Sequence, residues 1–249
     1  MTSRTTLAID CGGGGIKACV LDDSGAMYTD PVRVPTPYPL PPNRLVDIVA
    51  SLATQLPVAR RVTLGMPGMI RHGVVVATPH YICRYGPRTK VVPRLQAAWA
   101  GFDMQEALEA SLGMPALVLN DAEVHACGVV TGTGLELVLT LGTGLGSAVF
   151  DNGVLAPHME LSHAPMKWGL TFDDYLGEHE RLRLGDAHWS RRVRTALEAL
   201  EPVFRWDRLY IGGGNAKRLT NSEKLGASTI IIPNKAGISG GVRAWSMVR

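Results

Sequence analysis

Asn120-Asp121 stands where an apolar run, residues 116–119, gives way to a helix-forming stretch. A carboxylate at such a strand end is placed to act as a base toward a hydroxyl, which phosphoryl transfer to an alcohol requires. The competing reading makes Asp121 a plain helix N-cap. Asp10 ends another apolar run just before the cluster Gly12, Gly13, Gly14. There it can orient a hydrated Mg2+ on phosphates. Lys17, in the run that follows, reaches either a phosphate or solvent. Thr140 and Thr143 add hydroxyls to a second cluster containing Gly142 and Gly144. Glu160 and His163, spaced i, i+3 in PHMELSHAP, suit the hydroxyls of a sugar. With His158 they also allow a metal reading, but the HExxH spacing and cysteine partners of zinc sites are missing.

The elements around these residues repeat a device. Residues 7–22 and 137–150 are each an apolar, β-rich run, a glycine cluster, and a second apolar run closed by DDSG or DNG. A P-loop or dinucleotide fingerprint opens a helix after its glycines. Here strand follows, so both clusters are expected at the tips of β-hairpins, where backbone N–H groups can form an anion nest. Two such hairpins imply two similar half-domains facing each other across a phosphate-binding cleft.

Elsewhere, residues 30–42 hold six prolines and are extended or irregular. Asn43 is expected to cap a helix over 44–55. Strands are expected at 62–65, 74–77, 116–119, 209–211 and 230–232. Residues 79–96 read as a long loop or lid. Helices are expected over 104–112, closed by Gly113, over 122–130, and over 178–204 with a break near Gly185-Asp186. A terminal helix is expected from 236. Alternating strands and helices make the class α/β. The domains divide as 1–119 and 120–235, with the terminal helix 236–249 packing back on the first.

The bulk composition narrows the classes. The 249 residues are 46% hydrophobic and 19% charged, as in ordinary globular proteins. No apolar run approaches the roughly 20 residues that span a bilayer. The start leaves no room for a signal peptide, so a cytoplasmic protein without a membrane partner is expected. Cys11, Cys19, Cys83 and Cys127 form no CxxC pair, against a zinc knot or a secreted disulfide framework, and Cys11 and Cys19, in or beside the first hairpin, are expected as reduced, partly buried thiols. A net charge of +3 does not indicate nucleic-acid binding. Basic residues cluster at Arg84, Arg88, Lys90 and Arg94 and again at Arg181, Arg183, Arg191, Arg192 and Arg194. Either cluster could serve as a track for a polyanion, and the bland alternative for both is a solvated surface.

The stretches IDCGGGGIKACVLD, PTPYP, GMPGMIRHGVV, LNDAEVHACG, LTLGTGLGSAVFDNGVLAPHMELSH, LYIGGGNAKRL and NKAGISGG occur in that order. In them the chain resembles the ROK group of sugar kinases, and within it the polyphosphate glucokinases. The resemblance implies an actin-like ATPase (ribonuclease H-like) fold, duplicated in two domains with a central cleft. It implies transfer of a phosphoryl group from polyphosphate or ATP, with Mg2+, to a hexose 6-hydroxyl. Asp121 would be the general base, and Asn120, Glu160, His163 and His80 would face the sugar. Asp10, Gly12, Gly13, Gly14, Lys17, Thr140, Gly142, Thr143 and Gly144 would hold phosphate and Mg2+. Gly212, Gly213 and Gly214 would line the nucleoside or distal-phosphate region. The family likeness further implies a homodimer, no structural zinc and no DNA contact. Three positions depart from the family pattern. Gly14 stands where Ser or Thr is usual, Ser162 where Gly is usual, and His80 where a sugar-contacting Asn is expected. They keep two alternatives open: a weakly catalytic sugar or phosphate sensor, and a kinase for an amino or acylated hexose.

Overall fold

Leu7, Ala8 and Ile9 are each at most 2% exposed, the double-sided burial of a central strand. The computed structural model describes residues 5–87, 89–233 and 238–248. In chain order the elements begin β1 (Thr6–Cys11), β2 (Ile16–Leu21), β3 (Val32–Val34), α1 (Pro42–Ala53), β4 (Arg61–Met66), β5 (Met69–Arg71) and β6 (Val74–Ala77). There follow α2 (Pro93–Trp99), β7 (Phe102–Asp103), α3 (Met104–Leu112), β8 (Ala116–Asn120), α4 (Asp121–Cys127), β9 (Leu135–Leu141), β10 (Leu145–Asp151) and β11 (Val154–Leu155). The last are β12 (Pro165–Lys167), β13 (Leu170–Thr171), α5 (Phe172–Leu176), α6 (Glu178–Leu184), α7 (Asp186–Phe204), β14 (Arg208–Gly212), β15 (Thr229–Ile231) and α8 (Gly240–Met247).

The chain divides into two compact units, Met1–Gly128 with Gly237–Ser246, and Val129–Ala236 with Met247–Arg249. In the first, the sheet order is β3-β2-β1-β4-β8. β1 is antiparallel to β2 and parallel to β4, which is parallel to β8. α1 buries Leu45, Val46, Val49 and Leu52 at helical spacing against this sheet's core. Each such side chain contributes about 1.5–3 kcal/mol. Thr63 Oγ1 of β4 donates to Gly241 O at 2.7 Å and accepts from Trp245 Nε1 at 2.8 Å, which fastens α8 to the same sheet.

The second unit repeats the topology: β11-β10-β9-β14-β15, with β9 antiparallel to β10 and parallel to β14. Its core gathers Leu137, Leu139, Trp189, Leu197 and Ile211. The buried Glu136 carboxylate accepts from Thr131 N, Gly132 N and Tyr210 OH, so its burial is compensated.

Several local expectations change. α1 starts at Pro42 with Pro41 as N-cap, and Asn43 lies inside the first turn. Pro at N1 gives up an N–H that would have no intrahelical partner anyway. The 79–96 segment is not all loop, since α2 begins at Pro93 and carries Arg94. α4 stops at Cys127 with Gly128 as its C-cap. α8 begins at Gly240; residues 234–237 lie outside the described residues. All four cysteines are free and buried, and Cys11 and Cys19 are fully rather than partly so. Among the described residues no helix is long and apolar enough to cross a membrane.

Candidate active site

Parallel pairing brings the ends of β1, β4 and β8 to one edge, where ligands of open α/β sheets sit. Asp10 is level with Gly65, and Met66 with Asn120. Asp10, Gly65, Asp121 and Val124 line one small cavity. Gly65 makes that closeness possible. A Cβ there would stand 3.1 Å from Val124 Cγ2 and 3.3 Å from Asp121 Cα, so any side chain would push α4 outward.

The N-cap reading of Asp121 is overturned, because the cap is Asn120. Asn120 Oδ1 accepts from Ala122 N at 2.8 Å, and Glu123 Oε2 accepts from Asn120 N at 3.0 Å, a reciprocal capping box. Asn120 Nδ2 donates to Gly68 O at 2.8 Å, which ties the helix start to the turn after β4. Asn120 thus positions Asp121, which accepts from Ala122 N at 2.9 Å. His80 is half-buried, and its carbonyl accepts from Cys83 N in a turn.

The first glycine turn closes through Gly12 N donating to Gly15 O at 2.9 Å. Its carbonyls are latched from the proline-rich segment. Thr36 Oγ1 donates to Gly12 O at 2.7 Å, Tyr38 OH to Gly13 O at 2.9 Å, and Arg33 Nη2 reaches Gly14 O at 3.5 Å. In a trans peptide the C=O and the next N–H point oppositely. Latching those carbonyls therefore turns the Gly13 and Gly14 N–H groups the other way, and neither has a partner among the described residues. That is the geometry of an anion nest. Lys17, opposite Asp10 across the hairpin, pairs with it at 3.7 Å.

The second turn closes through Gly142 N donating to Gly144 O at 3.0 Å. Asn215 Nδ2 donates to Gly142 O at 3.0 Å, and Leu145 N donates to Asp173 Oδ1 at 2.8 Å. Thr140 pairs with Gly212 between β9 and β14. Gly213, at φ +88°, lies where a Cβ would meet the Leu141 backbone, so only glycine fits. Thr140, Gly142 and the 212–214 turn are thereby brought together. Thr143 is exposed, and its carbonyl accepts from Glu178 N at 3.2 Å. Gly214 has open space around it.

Glu160 and His163 flank a single 3-10 turn, with His163 N donating to Glu160 O at 3.1 Å. Ser162 Oγ donates to Glu160 Oε1 at 2.6 Å, and His158 Nε2 lies 3.6 Å from Glu160 Oε2. Burial raises the Glu160 pKa, but the close approach of His158, the Ser162 hydrogen bond and the charge of the two histidines outweigh it, and the net shift is downward. Among the described residues no group of three or more His, Cys, Asp or Glu is placed to hold a metal ion, which counts against the His158, Glu160, His163 metal reading.

Three participants escaped the sequence reading. Asp173 and Asn215 lie far along the chain from the turn they fix, and only the GGGN sequence hinted at the latter. Tyr81 is fully buried, stacked at 5.4 Å on Trp99, and its hydroxyl has no partner among the described residues. Burial, then the neighbouring Cys11 and Asp121, push its pKa well above the ordinary value.

A five-stranded topology used twice, each copy carrying a glycine turn at its first hairpin, defines the duplicated α/β fold of the actin-like ATPases. The fold is shared with a Streptomyces griseus ROK glucokinase solved with glucose and AMPPNP, at TM-score 0.70 and 18% identity, covering 96% of this chain and 98% of that one. The ROK family profile matches residues 6–166, and the chain belongs to that family. It is 28% identical to the polyphosphate glucokinase of Mycobacterium tuberculosis (strain ATCC 25618 / H37Rv), over 98% of this chain and 92% of the relative. It is 29% identical to the inorganic polyphosphate/ATP-glucomannokinase of Arthrobacter sp. strain KM, at TM-score 0.79, covering 98% and 99%. These relationships make it a phosphotransferase with an alcohol acceptor.

Proposed function

We propose that the protein is a sugar kinase that moves a phosphoryl group from polyphosphate, ATP or both to the 6-hydroxyl of glucose or a related hexose. One observation carries the reading: Asp10 and Asp121 line one cavity at the strand ends, with the unpartnered N–H groups of Gly13 and Gly14 on the hairpin that Asp10 begins. Asp121 takes the proton of the attacking hydroxyl as the bond to phosphorus forms and the donor's bridging oxygen leaves. Glu160, kept ionised by Ser162 and His158, accepts from sugar hydroxyls, and His163 beside it donates. Asp10 suits a hydrated Mg2+, which binds through one or two carboxylates and would neutralise charge on the phosphates. A cytoplasmic homodimer completes the reading, on family likeness.

Ser162 favours a second reading with the same chemistry. Its hydroxyl occupies one Glu160 oxygen, which changes what the carboxylate can offer and points to a related hexose in place of glucose.

A hexose panel offered with ATP or polyphosphate tests both. The wild type should phosphorylate at least one hexose. Asp121→Asn should lower kcat by about 10²–10⁴-fold with its circular dichroism unchanged. Equal turnover in the two proteins would remove Asp121 as the base, and sugar binding without turnover in the wild type would establish the sensor.

A further inference from the structure

The two basic clusters differ in whether their charge is spent. On α6 and α7, Arg181 pairs with Glu178 and Asp186, and Arg183 and Arg192 both pair with Glu180. Arg194 donates to Thr220 O. Glu180 is correspondingly held down to a pKa of about 2, chiefly by the Arg183 hydrogen bond. Four of the five arginines there are thus engaged and only Arg191 is exposed without a carboxylate among the described residues, so that region offers little free charge to a polyanion.

In the first unit, Arg33 of β3 stands opposite Lys17 of β2, which stands opposite Asp10 of β1, so the three form one row on one face of the sheet. Arg33 is exposed and has no carboxylate within 4 Å among the described residues. Its Nε lies 2.6 Å from where a Cβ on Gly15 would stand, so the guanidinium lies over the glycine turn. A Cβ at Gly14 would meet nothing within 4 Å, leaving that side of the turn open. The loop after Cys83 reaches the same turn. Cys83 bridges to Val91, and Arg84 N donates to Lys90 O at 3.0 Å, closing the loop's neck. At its tip Pro87 lies 2.9 Å from where a Gly13 Cβ would stand, and Gly86 packs on the ring of Tyr38. Arg84 and Lys90 are exposed, and neither has a carboxylate partner among the described residues.

We propose that Arg33, Arg84 and Lys90, with Lys17, form a binding surface for the chain of a polyphosphate donor, leading outward from the phosphate held at the Gly12–Gly15 turn. It rests on the kinase reading above and names its donor site. Arg33, Arg84 and Lys90, exposed beside an anion nest and without a carboxylate partner among the described residues, attract a multivalent anion at long range, while Lys17 shares its charge with Asp10, and that attraction weakens as salt rises. A linear polyphosphate gains from every cation along the row, whereas a short anion gains only from those at the turn.

The test compares wild type, an Arg33→Gln/Arg84→Gln/Lys90→Gln triple variant, and Arg191→Gln as a control for an exposed arginine elsewhere. Binding of long-chain polyphosphate is measured by calorimetry at two salt concentrations. KM is measured for long-chain polyphosphate, tripolyphosphate and ATP. In the triple variant the long-chain Kd and KM should rise about tenfold or more, by a larger factor than the KM for tripolyphosphate or ATP. The salt dependence of long-chain binding should flatten, and Arg191→Gln should match wild type. Unchanged long-chain affinity in the triple variant, an equal rise for all three donors, or the same loss in Arg191→Gln would overturn the proposal. A wild type that binds no polyphosphate yet phosphorylates hexose with ATP overturns it too and leaves the kinase reading standing. A wild type whose polyphosphate binding falls in the triple variant but which transfers from neither donor supports the surface and sinks the kinase reading.

Discussion

The two glycine turns share a topology and differ in what surrounds them. At the first, three side chains hold the carbonyls of Gly12, Gly13 and Gly14, and the nearest charge is the Arg33 guanidinium. At the second, one amide holds Gly142 O, and the Asp173 carboxylate sits where a Gly144 Cβ would be. The first turn exposes N–H groups beside a cation, and the second spends an N–H on an anion. The duplicated topology has therefore produced two unequal glycine turns, and on the reading proposed above the first is the one suited to an anion.

The sharpest way to break that contrast is to add the same methyl to each turn. Gly144→Ala drives a Cβ into Asp173, whose Cγ lies 2.7 Å from that position, and dislodges the carboxylate from Leu145 N. Urea unfolding should show a loss of about 1–3 kcal/mol. Gly14→Ala meets open space, so stability should hold or rise by up to about 1 kcal/mol as the unfolded chain loses freedom. Equal losses at both positions would show that the turns are packed alike after all.

A smaller effect is expected from cutting the latches of the first turn. Thr36→Val and Tyr38→Phe remove the donors to Gly12 O and Gly13 O, each worth about 1 kcal/mol. If the latches aim the N–H groups, the KM for the phosphoryl donor should rise severalfold while the KM for the sugar stays put. A fall in stability with both KM values unchanged would reduce the latches to structural supports.

How much of this was legible follows from sequence separation. The hairpins were readable because strand, glycines and strand are contiguous, whereas the helix cap was read one residue late, at Asp121 in place of Asn120. The α/β alternation and the break at Gly185 were readable for the same reason, as runs with local punctuation. The latches were not. Thr36 and Tyr38 lie in a proline-rich stretch that reads only as extended, and their targets are set by tertiary register. Asp173 reaches Leu145 across 28 residues, and Asn215 reaches Gly142 across 73. The arginines of α6 and α7 carried the same ambiguity, since a cluster of charge looks alike whether or not carboxylates face it. Asn43 misled for a different reason: it is a good cap by composition, but Pro42 at N1 had already fixed where the helix begins.

The last and smallest test concerns the carboxylates themselves. Asp10 faces an exposed lysine, whereas Glu160 of the second unit is wired by Ser162 and His158. Because the Glu160 pKa is lowered in the folded protein, its stabilising contribution is present above the unfolded carboxylate value and is lost as pH falls through the folded one. Ser162→Ala removes one of the hydrogen bonds that lower it, so Glu160 should protonate at higher pH. If the ionised form holds the sugar, the acid limb of kcat/KM for the hexose should move to higher pH, with kcat at neutral pH little changed. The stability cost should be about 1 kcal/mol near pH 7 and should shrink as pH falls through the folded Glu160 value and the carboxylate is neutralised in both proteins. A cost that stays constant as pH falls from 7 into the acid range, with an unmoved acid limb, would mean that Ser162 supports the turn and leaves the charge of Glu160 to His158 alone.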